Sequence, residues 1–170
     1  MSVAAIVLAA GEASRFGTPK QRLLLPEVLE RLKQSSVGAI VVVAGAHTLE
    51  TPEKVVTCAG WKRGPGASLA SGLEELGDEV EAAIVVLADG PDLAPEAVDR
   101  VIASWRAEGG ALVAASYAGE RGHPLLVARD AWETIPDAGL RDLGVRLVPC
   151  DDLGAPGDVN TPADLPERLR

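Results

Sequence analysis

Arg15 and Lys20 close a segment, Val3 to Lys20, that reads VAAIVLAAGEASRFGTPK. An apolar run leads straight into a loop of small residues, and these two cations are placed to meet anions there. A guanidinium and an ammonium are the usual pair for gripping phosphates. Ala10, Gly11 and Ala13 keep bulk away, so a flat base and its ribose can lie against the backbone. Gly11 and Gly17 permit turns closed to other residues. The spacing excludes two common phosphate loops. Gly11 and Gly17 stand too far apart for G-x-G-x-x-G, and Lys20 is followed by Gln21, where a Walker A loop requires Ser or Thr. A triphosphate site is the chemistry implied; a strand-to-helix turn with two solvated cations is the alternative.

Asp89 supplies the complementary charge. It directly follows the apolar run AIVVLA at 83–88. A carboxylate where a buried strand exits is costly unless a cation meets it. Mg²⁺ held by one or two carboxylates plus substrate phosphates meets that need, although Asp89-Gly90-Pro91 also spells a plain turn. Asp92 reads as the start of the next helix. In Trp61–Gly72, WKRGPGASLASG, glycines lead into a helix near Ala67 whose free N–H groups and Ser68 hydroxyl face whatever lies at its N-terminus. Gly72 equally suits close contact between that helix and a sheet. His123, before a proline, either contacts a substrate or braces a hairpin. Thr161 and Pro162 open a last helix, with Asp164 completing a capping box.

These residues need elements to position them. Apolar β-rich runs occur at 3–9, 39–44, 83–88, 111–116 and 124–128, with helical segments at about 26–33, 67–76 and from Pro95 to the Gly109-Gly110 pair. The alternation implies a Rossmann-like, three-layer α/β/α domain with a mostly parallel sheet over residues 1–170. Gly119 to Gly122 reads as a hairpin turn, which makes the run at 124–128 the one antiparallel strand. In such sheets ligands bind beyond the carboxyl ends of the strands. The loops after the runs at 3–9, 83–88 and 111–116 are therefore the expected site.

Composition narrows the ligand. The chain has 170 residues, 47% hydrophobic and only 3% aromatic, so its core is aliphatic. A net charge of −9 argues against nucleic acid or an acidic membrane as partner. A small phosphorylated ligand remains compatible, because a local Arg/Lys pair and a bound cation dominate the field in a cleft. Cys58 and Cys150 have no metal-ligand spacing and are expected to stay reduced in a cytoplasmic protein. No apolar run approaches a membrane span.

The opening segment resembles the MobA-like nucleotidyltransferases, the guanylyl- and cytidylyltransferases of molybdenum-cofactor maturation. Their pattern is roughly L-A-[AG]-G-x-S-x-R-[MF]-G-x-x-K, matched by Leu8, Ala9, Ala10, Gly11, Arg15, Phe16, Gly17 and Lys20, with the serine displaced to Ser14. Three further motifs agree in order. A G-x-x-S-L-x-x-G-L segment that touches the base corresponds to Gly64, Ser68, Leu69, Gly72 and Leu73, with Gly66 nearby. A D-x-P segment corresponds to Asp89-Gly90-Pro91, with Gly90 in place of the usual Gln; its aspartate holds the metal. The closing [DN]-[IV]-[DN]-T-P-E-D-L matches residues 158–165, which makes Asp158 and Asn160 the alternative second metal ligands. Arg121 to Pro124 match the R-G-H-P of the cytidylyl branch, placing Arg121 and His123 on the substrate side. One further departure is the loss of a glycine turn after Lys20, where Gln21–Pro26 runs straight on.

The resemblance implies in-line attack by an acceptor phosphate on the α-phosphorus of a nucleoside triphosphate, with release of pyrophosphate. Arg15 and Lys20 would be catalytic, and Leu8, Ala9, Ala10, Gly11, Ser14, Gly66 and Ser68 would bind the nucleotide. Asp89 with Asp158 or Asn160 would hold Mg²⁺. Ala10 and the R-G-H-P favour CTP over GTP, and molybdopterin is the implied acceptor. Transfer to a sugar or alcohol phosphate, and a nucleotide-binding module without turnover, are the competing expectations.

Overall fold

The computed structural model describes residues 2–11 and 20–170, and the backbone alone at Lys20 and Gln21. Seven strands form one sheet: β1 (Ser2–Ala9), β2 (Ile40–Ala44), β3 (Lys54–Thr57), β4 (Val80–Leu87), β5 (Leu112–Tyr117), β6 (Glu120–Ala128) and β7 (Arg146–Pro149). Their order across the sheet is β3-β2-β1-β4-β6-β5-β7. Every neighbouring pair is parallel except those made by β6, which runs antiparallel to both β4 and β5. The central strands β1, β2 and β4 are almost wholly buried Val, Ile, Ala and Leu, as strands covered on both faces must be.

Helices α1 (Lys20–Lys33) and α3 (Pro95–Glu108) cover one face, where Val28, Leu29, Leu32, Val98, Val101 and Ile102 join Val7, Val42, Ile84 and Val86. Helix α2 (Pro65–Leu73) covers the other face through Leu69 and Leu73, assisted by Trp132. Each such aliphatic side chain, fully buried, contributes about 1.5–3 kcal/mol. A Cβ on Gly72 would stand 2.8 Å from Val43 Cγ2 and 3.0 Å from Ile6 Cγ2, so α2 lies closer to the sheet than a side chain there would allow.

Several boundaries differ from the sequence reading. Helix α1 begins at Lys20, not at Pro26, which sits inside it. The run Lys20–Leu25 is rich in good helix formers, and Leu24 and Leu25 are both buried. That packing offsets an interior proline, whose usual cost is about 3 kcal/mol. The segment lacking the glycine turn is thus helix. Strand β6 begins at Glu120, because the turn is tighter than expected: Ala118 and Gly119 alone take positive φ, at 53° and 80°. Strands β3 and β7, each of four residues at a sheet edge, carry too little pattern to be read. The expected C-terminal helix is a single 3₁₀ turn, Pro162–Asp164.

The C-terminal segment closes over α1. Leu24 packs with Val159 and Leu165, and Leu169 lies against them. Arg168 donates to Glu27 of α1 at 2.8 Å and to the Pro91 carbonyl at 3.1 Å. Asp92, expected to begin a helix, instead pairs with Arg168 at 2.8 Å, and α3 starts three residues later behind Ala94.

Candidate functional site

The carboxyl ends of β1 and β4 lie side by side, and a cleft of about 380 Å³ opens beyond them. Leu8, Ala10 and Gly11 form one wall, Leu87, Ala88 and Asp89 a second, and Trp61, Gly64, Pro65 and Ser68 the third. The parallel register fixes this meeting, with Leu8 opposite Leu87. Ala9 is buried in the core beneath. Ser68 is 2% exposed, one turn into α2, at the end where unpaired N–H groups favour anions and polar rims. Trp61 is held by the absence of a side chain at Gly45, where a Cβ would meet the ring at 2.6 Å. Trp61 escaped the sequence reading, although an aromatic just before a glycine-rich helix start in so aromatic-poor a chain was a usable signal.

Gly66 faces elsewhere. Its N–H donates to the Asp137 carbonyl at 2.9 Å, and a Cβ there would stand 1.8 Å from the Pro136 carbonyl oxygen. The glycine is required by the close passage of the 136–139 segment behind α2, and Gly66 does not line the cleft. Arg15 and Ser14 lie outside the described residues. Lys20 opens α1, whose N-terminus is the electropositive end of that helix.

Asp89 leaves β4 at the cleft with its Oδ1 fully buried. Its carbonyl accepts the N–H of Val159 at 3.0 Å, while the N–H of Asp92 donates to the Pro156 carbonyl at 2.8 Å. Segments 89–92 and 156–159 therefore run antiparallel as a short ladder, which brings Asp158 and Asn160 beside the Asp89 loop. Asn160 Nδ2 donates to Asp158 Oδ2 at 2.9 Å, so the two candidate side chains touch each other. The Asp164 carboxylate accepts from the backbone N–H groups of Asn160 and Thr161, at 3.1 and 2.9 Å, and fixes the turn. Gly90 fits this arrangement: a Cβ would come within 3.0 Å of Pro156 Cβ. The position that carries Gln in the resembled pattern is glycine here because the 155–157 loop occupies the adjoining space.

Among the described residues no three His, Cys, Asp or Glu come together as a metal cage. The donors at this ladder are two carboxylates and an amide, all hard oxygen ligands, which suits a divalent cation that keeps positions open for phosphates.

The start of β6 reaches the same edge, since that strand runs against the others. Arg121 and His123 line two further cavities, of about 450 and 610 Å³, on opposite faces of the sheet. The larger shares Leu8, Pro65 and Leu87 with the cleft. The Arg121 guanidinium is directed at backbone: Nη1 donates to the Arg141 and Leu143 carbonyls at 3.1 and 2.8 Å, and Nη2 to Leu140 at 3.0 Å. Burial, aided by the charge of Arg121, lowers the His123 pKa to about 4, so its imidazole is neutral at pH 7. Tyr117 donates its hydroxyl to the His123 carbonyl at 2.7 Å, and burial pushes its pKa up to about 12. The His123 carbonyl is thus tied to Tyr117 across the hairpin, and the residue borders both cavities.

No described helix is long and apolar enough to cross a membrane. The chain matches the family model described as "MobA-like NTP transferase domain" over residues 5–149. It is 34% identical over 129 residues to a protein of Chloroflexus aggregans named "Probable molybdenum cofactor guanylyltransferase", covering 69% of this chain and 60% of that protein's length. Among solved structures it resembles the Rv0371c homologue of Mycobacterium sp. strain JC1, with a TM-score of 0.79, 26% identity, and coverage of 95% and 92% of the two chains. Rv0371c of Mycobacterium tuberculosis, solved in complex with manganese, shares the fold with a TM-score of 0.76 at 22% identity, over 96% of each chain. A family model spanning most of the sheet, laid over a cleft at its carboxyl edge, leads to one conclusion: the chain belongs to the MobA-like NTP transferase domain family.

Proposed function

We propose that this protein transfers a nucleoside monophosphate, CMP in preference to GMP, from a metal-bound nucleoside triphosphate to a phosphorylated acceptor of molybdopterin type, releasing pyrophosphate. The observation that supports the reading is the backbone hydrogen bond from Val159 to the Asp89 carbonyl, which joins the segment bearing Asp158 and Asn160 to the loop of Asp89, a residue of the β1–β4 cleft, while Asp158 lines the adjoining cavity of about 450 Å³. The base would lie among Ala10, Trp61 and Ser68. The triphosphate would extend toward Arg15 and the N-terminus of α1, where Lys20 neutralises charge on the departing pyrophosphate. Asp89, Asp158 and Asn160 would hold Mg²⁺, which when bound supplies Lewis acidity and a template at the α-phosphate. No covalent enzyme intermediate is needed, so these side chains act by orientation and charge. The manganese complex of a protein sharing the fold supports a divalent ion here.

Ala10 supports the choice of CTP. It lines the cleft at the position where the guanylyl branch tends to have glycine. The relative named for guanylyl transfer makes GTP the competitor to test. Asp89→Asn decides between turnover and mere binding. Pyrophosphate release from CTP, Mg²⁺ and molybdopterin should fall by at least about a hundredfold, the scale of losing a preorganised electrostatic contact, with an unchanged fold by circular dichroism. Parent protein that binds Mg-CTP but releases no pyrophosphate with any phosphorylated acceptor would move the non-catalytic reading ahead.

A further inference from the structure

The cavity of about 610 Å³ between α2 and β6 has a floor of Leu8, Leu69, Val85, Leu87 and Leu125. Its charged lining consists of Arg121, Arg141 and Asp142, with His123 neutral, so the cavity carries net positive charge inside a chain of net −9. The two arginines differ. The Arg121 guanidinium hydrogen bonds go to carbonyls of the 140–143 loop, which it fastens to β6. The Arg141 guanidinium is exposed and makes no hydrogen bond or ion pair among the described residues. Arg141 is therefore a cation held at the rim through its own backbone, with its donors uncommitted.

We infer that this cavity takes the anionic group of a small organic phosphate, with Arg141 as the residue that binds the phosphate and Arg121 as a positioning residue acting through the loop. The apolar floor receives the body of that molecule. A guanidinium offers a paired N–H fork matched to phosphate, which an ammonium does not reproduce. The expected substrate-side role of Arg121 thus passes to Arg141, twenty residues on. The inference rests on the nucleotidyl-transfer reading for its biological sense, but binding to the cavity stands apart from that reaction.

Phenyl phosphate is a minimal probe, since it joins a flat apolar body to a phosphate. Titrated calorimetrically into the full chain without nucleotide or metal, it should bind, and phenol should not. Arg141→Ala should weaken binding about tenfold, the scale of one charge-assisted hydrogen-bonded contact, and Arg141→Lys should recover only part of that. Arg121→Gln should weaken binding similarly, and the double variant should be no worse than Arg141→Ala alone, because both act through one contact. Lys20→Ala should bind the probe as the parent does, which separates this cavity from the triphosphate site. No binding by the parent, unaltered affinity in Arg141→Ala, full additivity in the double variant, or loss in Lys20→Ala would each overturn the assignment. Pyrophosphate release is not read in any arm, so failure here and failure of the transfer reaction are distinguished.

Discussion

Arg168 donates to the carboxylate of Asp92 at 2.8 Å, tying the final turn of the chain to the loop that carries Asp89. The same guanidinium holds Glu27 on α1, the helix that Lys20 begins. One side chain thus spans the two elements that bear the candidate cation and the candidate metal ligand. Arg168→Ala should lower stability by about 1 kcal/mol in urea unfolding, a modest amount because these pairs are partly exposed. The Mg²⁺ concentration for half-maximal turnover should rise several-fold, with Arg168→Lys intermediate, since an ammonium cannot hold both carboxylates in fork geometry. An unchanged Mg²⁺ requirement in Arg168→Ala would separate the clamp from the site.

Lys20→Ala should reduce turnover by about 10²–10³-fold, as loss of a preorganised charge on the leaving group does. The melting temperature should stay near that of the parent. Steady-state rates within a few-fold of the parent would remove Lys20 from the reaction.

CTP with Mg²⁺ should raise the melting temperature more than GTP at equal concentration. A tenfold preference is about 1.4 kcal/mol of extra stabilisation, about 3–4 °C for a domain of this size. A larger shift with GTP would reassign the base and leave the class of reaction untouched.

His123 should make the fold acid-sensitive. Its pKa is about 4 folded against an ordinary 6.5, so below pH 6.5 the unfolded chain binds more protons and stability falls until about pH 4. Between pH 7 and pH 5 the loss from this group is about 2 kcal/mol, at 1.36 kcal/mol per unit. His123→Gln should show a correspondingly smaller difference between urea midpoints at the two pH values. Equal differences in both proteins would mean that other groups carry the acid response.

Gly66→Ala should destabilise by about 1–3 kcal/mol, the cost of overpacking against the Pro136 carbonyl. Its CTP affinity, measured at a temperature where the variant is folded, should remain within a few-fold of the parent. A stable variant that has lost CTP would return Gly66 to the nucleotide.

The central strands were legible because β1, β2 and β4 are apolar on both faces, and β6 because the Gly119 turn precedes it. The site was expected beyond the carboxyl ends of the runs at 3–9, 83–88 and 111–116, and the cleft opens beyond the first two of these. Edge strands β3 and β7 were not legible, since four half-exposed residues such as KVVT carry no periodicity. Pro26 misled because its usual place at a helix start competes with packing that only the tertiary structure reveals. Asp92 misled for a similar reason: capping is read locally, whereas its partner Arg168 lies 76 residues away. The contrast between Arg121 and Arg141 was beyond local pattern altogether, because it depends on which carbonyls a folded loop turns inward.

The reversed direction of β6 has an evolutionary consequence. Because β6 enters at the carboxyl edge of the parallel strands, the hairpin tip at Ala118-Gly119 stands at the outer margin of the site, and a Cβ on Gly119 would touch nothing within 4 Å. Residues can be inserted at that tip without shifting the register of β1, β2 or β4. On the proposed reading, the side of the site that would receive the acceptor could diversify by loop length at this one turn while the parallel strands keep their register.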